Sequence, residues 1–377
     1  MNIEISSTKE GIIEYIYTLL NIYSTNYKSI LTDELVKLQN FLDNASRANT
    51  LDELEKIKTE IQTLEDKIEE KIKEKRTNSL SSREQSLIQK GYSLEDVLRL
   101  TFFTETQAQQ ISSSIFNSLT SNLTRVEHPV CYFLGGQPGA GKSTAASIMK
   151  DKFGNDGAIE IGIDNYRSFH PNYLEIEDCI KKHWENKKPD ETYSPGNDIA
   201  DFTQSFAARI SDLLTDKAIN KIDNKSFNII MEWGMRTPEE PLKRMNQFKS
   251  LGYTNIVNFI VVHRDISYSA CELRANIMNS KNHIVRRVPK PFHDSAVSTL
   301  PESASKIYEE AVVKNNIIDK FTIVDRNGKI VWDKAMNTSP REIYYEYLNN
   351  PTLSAGMINS TDLAEMSYQS ESKGFGK

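Results

Sequence analysis

The run Gly135-Gly136-Gln137-Pro138-Gly139-Ala140-Gly141-Lys142-Ser143-Thr144 contains a complete G-x-x-x-x-G-K-[ST] pattern from Gly136 to Ser143. It follows the apolar run Val130 to Leu134 and leads into a helix expected from about Lys142. That context constrains the chain strongly, because such a loop works only when a strand feeds it and a helix leaves it. The glycines stand where a side chain would block convergence of backbone N–H groups on a triphosphate, or where φ must be positive. The helix turns its N-terminus toward the anion. Lys142 supplies a point charge to the β- and γ-phosphates, and the Ser143 hydroxyl is placed to ligate Mg²⁺. Gly136, Gln137, Pro138, Gly139, Ala140, Gly141, Lys142, Ser143 and Thr144 are therefore the expected nucleotide-binding residues.

Downstream, apolar runs recur at Ala158–Ile163, Phe227–Met231 and Ile256–Val262, each separated by enough chain for a crossover helix. This predicts an α/β fold with a parallel sheet covered by helices on both faces. Phe321–Val324 and Lys329–Trp332, split by Asn327-Gly328, predict a terminal hairpin. The first part of the chain reads as helix alone. Ile12, Ile16, Leu19 and Tyr23 share one face, Leu31, Leu35, Leu38 and Leu42 another, and Thr50 with Glu53 caps a third apolar series from Leu54 to Ile68. An amphipathic hairpin packing on itself is the expectation there, with an intermolecular coiled coil as the alternative. Polar residues 76–83 suggest a linker, Gly91 a helix stop, and Thr104 with Gln107 a further capping box. The expected organisation is a helical region over 1–95, an α/β domain over 96–350 and a disordered tail over 351–377.

No apolar run approaches the roughly 20 residues that span a bilayer, and the N-terminus lacks a secretory pattern. Cys131, Cys179 and Cys271 are scattered without a C-x-x-C, which argues against disulfides or a zinc site. A net charge of −6 argues against a general nucleic-acid binder.

A phosphate loop does not name a reaction. No later strand ends in the Asp-Glu pair of many ATPase motors. Asn220-Lys221-Ile222-Asp223 matches a guanine-reading motif but precedes its strand instead of following it, and is read as coincidence. On balance these features favour a kinase. Asp164, closing an apolar run at the carboxyl edge of the sheet beside the phosphate-loop strand, can orient and deprotonate a hydroxyl, or it can N-cap the next helix. Glu232 ends another strand as a site residue or as a locally satisfied carboxylate. His170 is read as shaping its loop and His293 as a partner of Asp294.

The phosphate loop followed by Asp164-Asn165-Tyr166-Arg167-Ser168-Phe169-His170-Pro171-Asn172-Tyr173 resembles the zeta-toxin family, kinases of bacterial toxin–antitoxin systems, and the resemblance runs from about residue 100 to 335. It implies catalytic roles for Asp164 and Lys142, and phosphate contacts from Arg274 and Arg286, the latter adjoining Arg287. It implies acceptor contacts from Glu232, Arg236 and, where the family often carries a helical glutamate, Asp216. ATP and Mg²⁺ follow as cofactors, and the 3′-hydroxyl of the amino sugar of UDP-N-acetylglucosamine as the acceptor, blocking cell-wall synthesis. A bacterial cytoplasmic location is expected, with secretion into a host cell as the alternative, and inhibition by residues 1–95 or by a separate antitoxin-like protein. Two departures flank the acceptor pocket: Trp233, where the family commonly has a small residue, and a longer Asp178–Asp201 stretch carrying Lys181, Lys182, Lys187 and Lys188. They leave open a zeta-like kinase acting on another small molecule or nucleotide. A nucleotide-gated binding module without turnover is the alternative of another class.

Overall fold

The computed structural model describes residues 8–27, 31–78, 80–185, 187, 194–280 and 286–354. Two compact units divide the chain, Met1–Gln110 and Ile111–Lys377. The division falls inside a helix, later than the boundary expected at residue 95.

In the first unit, helices α1 (Lys9–Tyr27), α2 (Thr32–Arg47) and α3 (Leu51–Asn78) bury one shared apolar seam, with Ile12, Ile16, Leu19, Leu38, Ile61 and Ile68 fully excluded from solvent. Apolar residues at three- and four-residue steps put these side chains on one stripe of each helix, and packing of the stripes stabilises helices whose surfaces are otherwise charged. The Thr50–Glu53 box opens α3, Glu53 accepting from the N–H groups of Asn49 and Thr50. Helices α4 (Ser82–Gln89) and α5 (Leu94–Thr101) follow, then α6 (Glu105–Thr120), which spans the division. The expected linker at 76–83 is instead the end of α3 and the Ser81–Glu84 capping box of α4. Polar composition there marks helix termini, not a boundary.

The second unit is a six-stranded sheet in the order β2-β3-β1-β4-β5-β6. Strands β1 (Val130–Gly136), β2 (Ile159–Ile161), β3 (Ile229–Glu232), β4 (Thr254–Val261) and β5 (Lys320–Asp325) are parallel, and β6 (Ile330–Trp332) returns antiparallel through the Asn327-Gly328 turn. Helices α7 (Lys142–Lys152), α8 (Tyr173–Trp184), α9 (Pro195–Ile219), α10 (Glu239–Ser250), α11 (Arg264–Ser280) and α12 (Lys290–Tyr308) connect the strands, and α13 (Pro340–Asn349) closes the unit. The sheet is buried through β-branched and aromatic residues, with Phe133, Phe248 and Tyr253 meeting edge to face. Strand β3 separates β2 from β1, so Asp164 does not follow a strand next to the phosphate-loop strand, as expected, but one place further out. Asn220–Asp223 lies in a tight turn at the opposite end of β3, with Asp223 at φ 51°.

The first residues of the tail expected to be disordered from 351 are instead structured. Pro351–Ser354 forms a helical turn, and the Ser354 hydroxyl, fully buried, accepts from the His263 N–H at 3.0 Å. The rest of the tail, 355–377, lies outside the described residues.

Candidate active site

The phosphate loop is fixed from behind. The Gln137 side chain is fully buried, donating through Nε2 to the Val262 carbonyl at 2.7 Å. The Tyr344 hydroxyl, on α13, donates to the Ile260 carbonyl at 3.2 Å beside it. Gln137 thus offers a ligand its backbone alone. Gly139 has φ +76°, and a Cβ there would lie 2.0 Å from the Ser267 carbonyl oxygen of α11. Only glycine permits that approach. His293 secures the same place, its Nε2 lying 2.8 Å from the Ser267 hydroxyl, while its Nδ1 stands 3.8 Å from Asp294. The histidine therefore supports α11 under the loop more than it serves Asp294.

Gly141, left-handed at φ 101°, is the N-cap of α7. Lys142 Nζ donates to the carbonyls of Gly136 (2.9 Å) and Gln137 (3.1 Å), which holds the ammonium over the loop. Burial pushes its pKa down, and the Glu232 carboxylate pulls it back. Ser143 donates to Glu232 Oε1 at 3.0 Å, joining the start of α7 to the end of β3. Burial pushes the Glu232 carboxyl up, against the opposing pull of Lys142 and Ser143. Glu232 therefore stands at the phosphate end of the cleft.

Asp164 lies in a helical turn, Ile163–Phe169, just beyond β2. Two guanidiniums hold it. Arg286 Nη1 lies 2.9 and 3.1 Å from its carboxylate oxygens, and Arg167 Nε donates to Oδ1 at 2.8 Å. Desolvation raises the carboxyl, but Arg286, Arg167 and Arg274 outweigh it and hold Asp164 below the ordinary carboxylate range. Arg287, the alternative in sequence to Arg286, turns away to Glu272 (3.0 Å) and Asn276 on α11. Arg274 is exposed on α11, and its charge acts on Lys142 and Asp164.

Arg236 packs its guanidinium over Phe292, 4.5 Å from the ring centroid, and reaches Ser295 at 3.4 Å. Asp216 is not brought to this cluster. It is exposed near the C-terminal end of α9, among Arg244, Asp212 and Arg209. At 1.5 Å per residue it stands roughly 20 Å along the helix from Thr203, where α9 does meet the site. The acceptor contact expected of it does not fit that position, because the site touches the opposite end of the helix. Arg167 makes the connection there: besides Asp164 it donates to the Ala200 carbonyl, Thr203 Oγ1 and Gln204 Oε1. Sequence reasoning missed its role. The available signal was its position three residues after Asp164, which eclipses the two side chains in a turn of this kind.

A phosphate loop on this parallel sheet, facing a carboxylate that arginines hold in place, defines a kinase-like, ATP-using enzyme. The zeta-toxin family model matches residues 113–337, over half of the chain, and the chain belongs to that family, one of toxic kinase-type proteins. It is 27% identical over 238 residues to Toxin PezT of Streptococcus pneumoniae, covering 63% of this chain and 84% of the relative. It is 24% identical over 253 residues to Toxin zeta of Streptococcus agalactiae, covering 66% and 79%. Among solved structures, one from the PezAT chromosomal toxin–antitoxin system of S. pneumoniae matches with a TM-score of 0.53 and 25% identity, over 72% of this chain and 97% of that one.

Proposed function

We propose that the chain transfers the γ-phosphoryl group of ATP to the 3′-hydroxyl of the amino sugar of UDP-N-acetylglucosamine, and is toxic by blocking cell-wall synthesis. The observation that carries the phosphotransfer reading is Asp164 held between Arg167 and Arg286, across the cleft from Lys142. An ionised carboxylate orients the acceptor hydroxyl and takes its proton as the bond to phosphorus forms. Arg286 serves two anions in turn. When a phosphoryl group engages it, Asp164 loses part of its compensation and becomes more basic as the hydroxyl arrives. Arg274, without a hydrogen bond or ion pair among the described residues, is free to share the phosphoryl charge. Arg236 is the residue left to contact the acceptor, while Glu232 sits with Ser143 and Lys142 at the phosphate end.

Mg²⁺ fits the residues present. The Ser143 hydroxyl and Glu232 carboxylate are hard oxygen donors 3.0 Å apart, and Mg²⁺ is usually held by one or two such groups together with phosphate and water. Ser143 would hold the ion, Glu232 would support it, and the ion would neutralise charge on the β- and γ-oxygens.

Trp233 favours a second reading. It directly follows Glu232, with its N–H fixed to the Leu134 carbonyl at 3.0 Å, and a bulky side chain at that point would reshape an acceptor pocket beside Glu232. A different nucleotide or small-molecule acceptor is then the outcome to look for. Restraint of the enzyme is assigned to a separate antitoxin or to its own helices 1–95, and the matched PezAT structure comes from a toxin–antitoxin system. The bacterial cytoplasm is the proposed site of action, and no described helix is long and apolar enough to cross a membrane.

The test is incubation of the full chain with Mg-ATP and UDP-N-acetylglucosamine, beside Asp164→Asn and Lys142→Ala, with mass spectrometry of the sugar nucleotide. Phosphorylated product absent from both variants supports the proposal. Robust turnover by Asp164→Asn defeats the base assignment. ATP consumption only with another acceptor moves the reading to Trp233.

A further inference from the structure

Most cations around the cleft are already engaged: Lys142 with loop carbonyls, Arg167 and Arg286 with Asp164, and Arg287 with Glu272. Arg326 is different. It makes no hydrogen bond or ion pair among the described residues, and its Nη1 is buried. A guanidinium nitrogen shut off from water without a partner is costly to keep, while the rest of this half-buried side chain stays open to a ligand. Burial also pushes its pKa down, with the Cys271 sulfur opposing.

Its position says which ligand. Arg326 follows β5 in the turn to β6, and its side chain lies across the last glycine of the phosphate loop. A Cβ on Gly141 would lie 3.2 Å from Arg326 Cγ and 3.5 Å from Nε. The turn is rigid: the buried Asp325 carboxylate accepts from the N–H groups of Asn327 (2.9 Å) and Lys329 (3.0 Å), and Gly328 takes φ +79°. In the sheet order, β5 stands on one side of β1 and β2 on the other. A triphosphate on the loop must present its transferred end to Asp164, beyond β2. Its nucleoside end then runs the opposite way, toward β5 and Arg326.

We propose that the Arg326 guanidinium is the platform on which the purine ring of the donor nucleotide stacks, reading the nucleoside and not the phosphates. A planar, delocalised cation suits an aromatic face, and a lysine in its place does not. The proposal rests on the phosphotransfer reading above.

Calorimetric titration of the full chain in Mg²⁺ with ATP and with inorganic tripolyphosphate separates the two. Wild type is expected to bind ATP more tightly than tripolyphosphate. Arg326→Ala is expected to weaken ATP roughly tenfold or more and to leave tripolyphosphate unchanged, which also shows an intact loop. Arg326→Lys should match Arg326→Ala. Equal weakening of both ligands, no weakening of either, or full recovery with lysine overturns the stacking role. Wild type binding neither ligand overturns the phosphotransfer reading itself.

Discussion

Arg286 Nη1 reaches both carboxylate oxygens of Asp164, at 2.9 and 3.1 Å, from a segment far along the chain, and with Arg167 and Arg274 it keeps that carboxyl acidic. Among the charges acting on Asp164, Arg286 is the strongest opponent of desolvation. The acid limb of kcat/KM should therefore lie below the ordinary aspartate range, near about 3.9. Arg286→Ala should move that limb to higher pH while lowering kcat by roughly 10²-fold or more. The position of the limb is read independently of the amplitude, and an unmoved limb would mean that Asp164 is not the titrating base.

Gly139→Ala tests the loop. The new methyl group meets a backbone carbonyl at 2.0 Å and a positive φ, so neither a rotamer change nor a small shift accommodates it. Backbone strain alone amounts to about 1–3 kcal/mol. We expect a lower Tm and loss of ATP binding. A variant that bound ATP with the wild-type affinity would show that α11 yields where the packing says it cannot.

Much of this was legible in the sequence because it is local. The loop, its strand and its helix occupy neighbouring residues, and the capping boxes at Thr50 and Thr104 span single turns. Sheet order is not local. Nothing near Asp164 signals that β3 will lie between its strand and β1, since that choice is made by pairing with residues from Ile229 to Met231. Asp216 shows the same limit on a helix: α9 is 25 residues long and buried along much of its length, so periodicity does not tell which end meets the site. Arg326 was hidden for another reason, because Asn327-Gly328 explains the turn completely and draws attention from the residue before it.

Glu232→Gln distinguishes two roles for one carboxylate. Its bond to Ser143 places it beside the residue expected to hold Mg²⁺. The Mg²⁺ concentration giving half-maximal rate should rise by roughly tenfold or more, the scale seen when a group supporting a metal is removed. A raised KM for the acceptor at unchanged Mg²⁺ dependence would instead place Glu232 on the acceptor.

The helical unit carries its own prediction. Tyr15 on α1 donates to Glu65 on α3 at 2.7 Å, and burial with Glu69 and Asp66 nearby pushes the Glu65 carboxyl up to about 7. The folded state therefore keeps its proton at a pH where the unfolded chain, near 4.5, has lost it. Stability falls as pH rises between those two values and levels off above the higher one. Burial pushes Glu69 up as well, which deepens the same fall. Glu65→Gln keeps an acceptor for the Tyr15 hydroxyl without the charge, and should raise Tm at pH 8 by an amount equivalent to about 1–2 kcal/mol. At pH 4 the two proteins should melt together. A variant equally stabilised or destabilised at both pH values would show that the charge of Glu65 is not what strains the seam between α1 and α3.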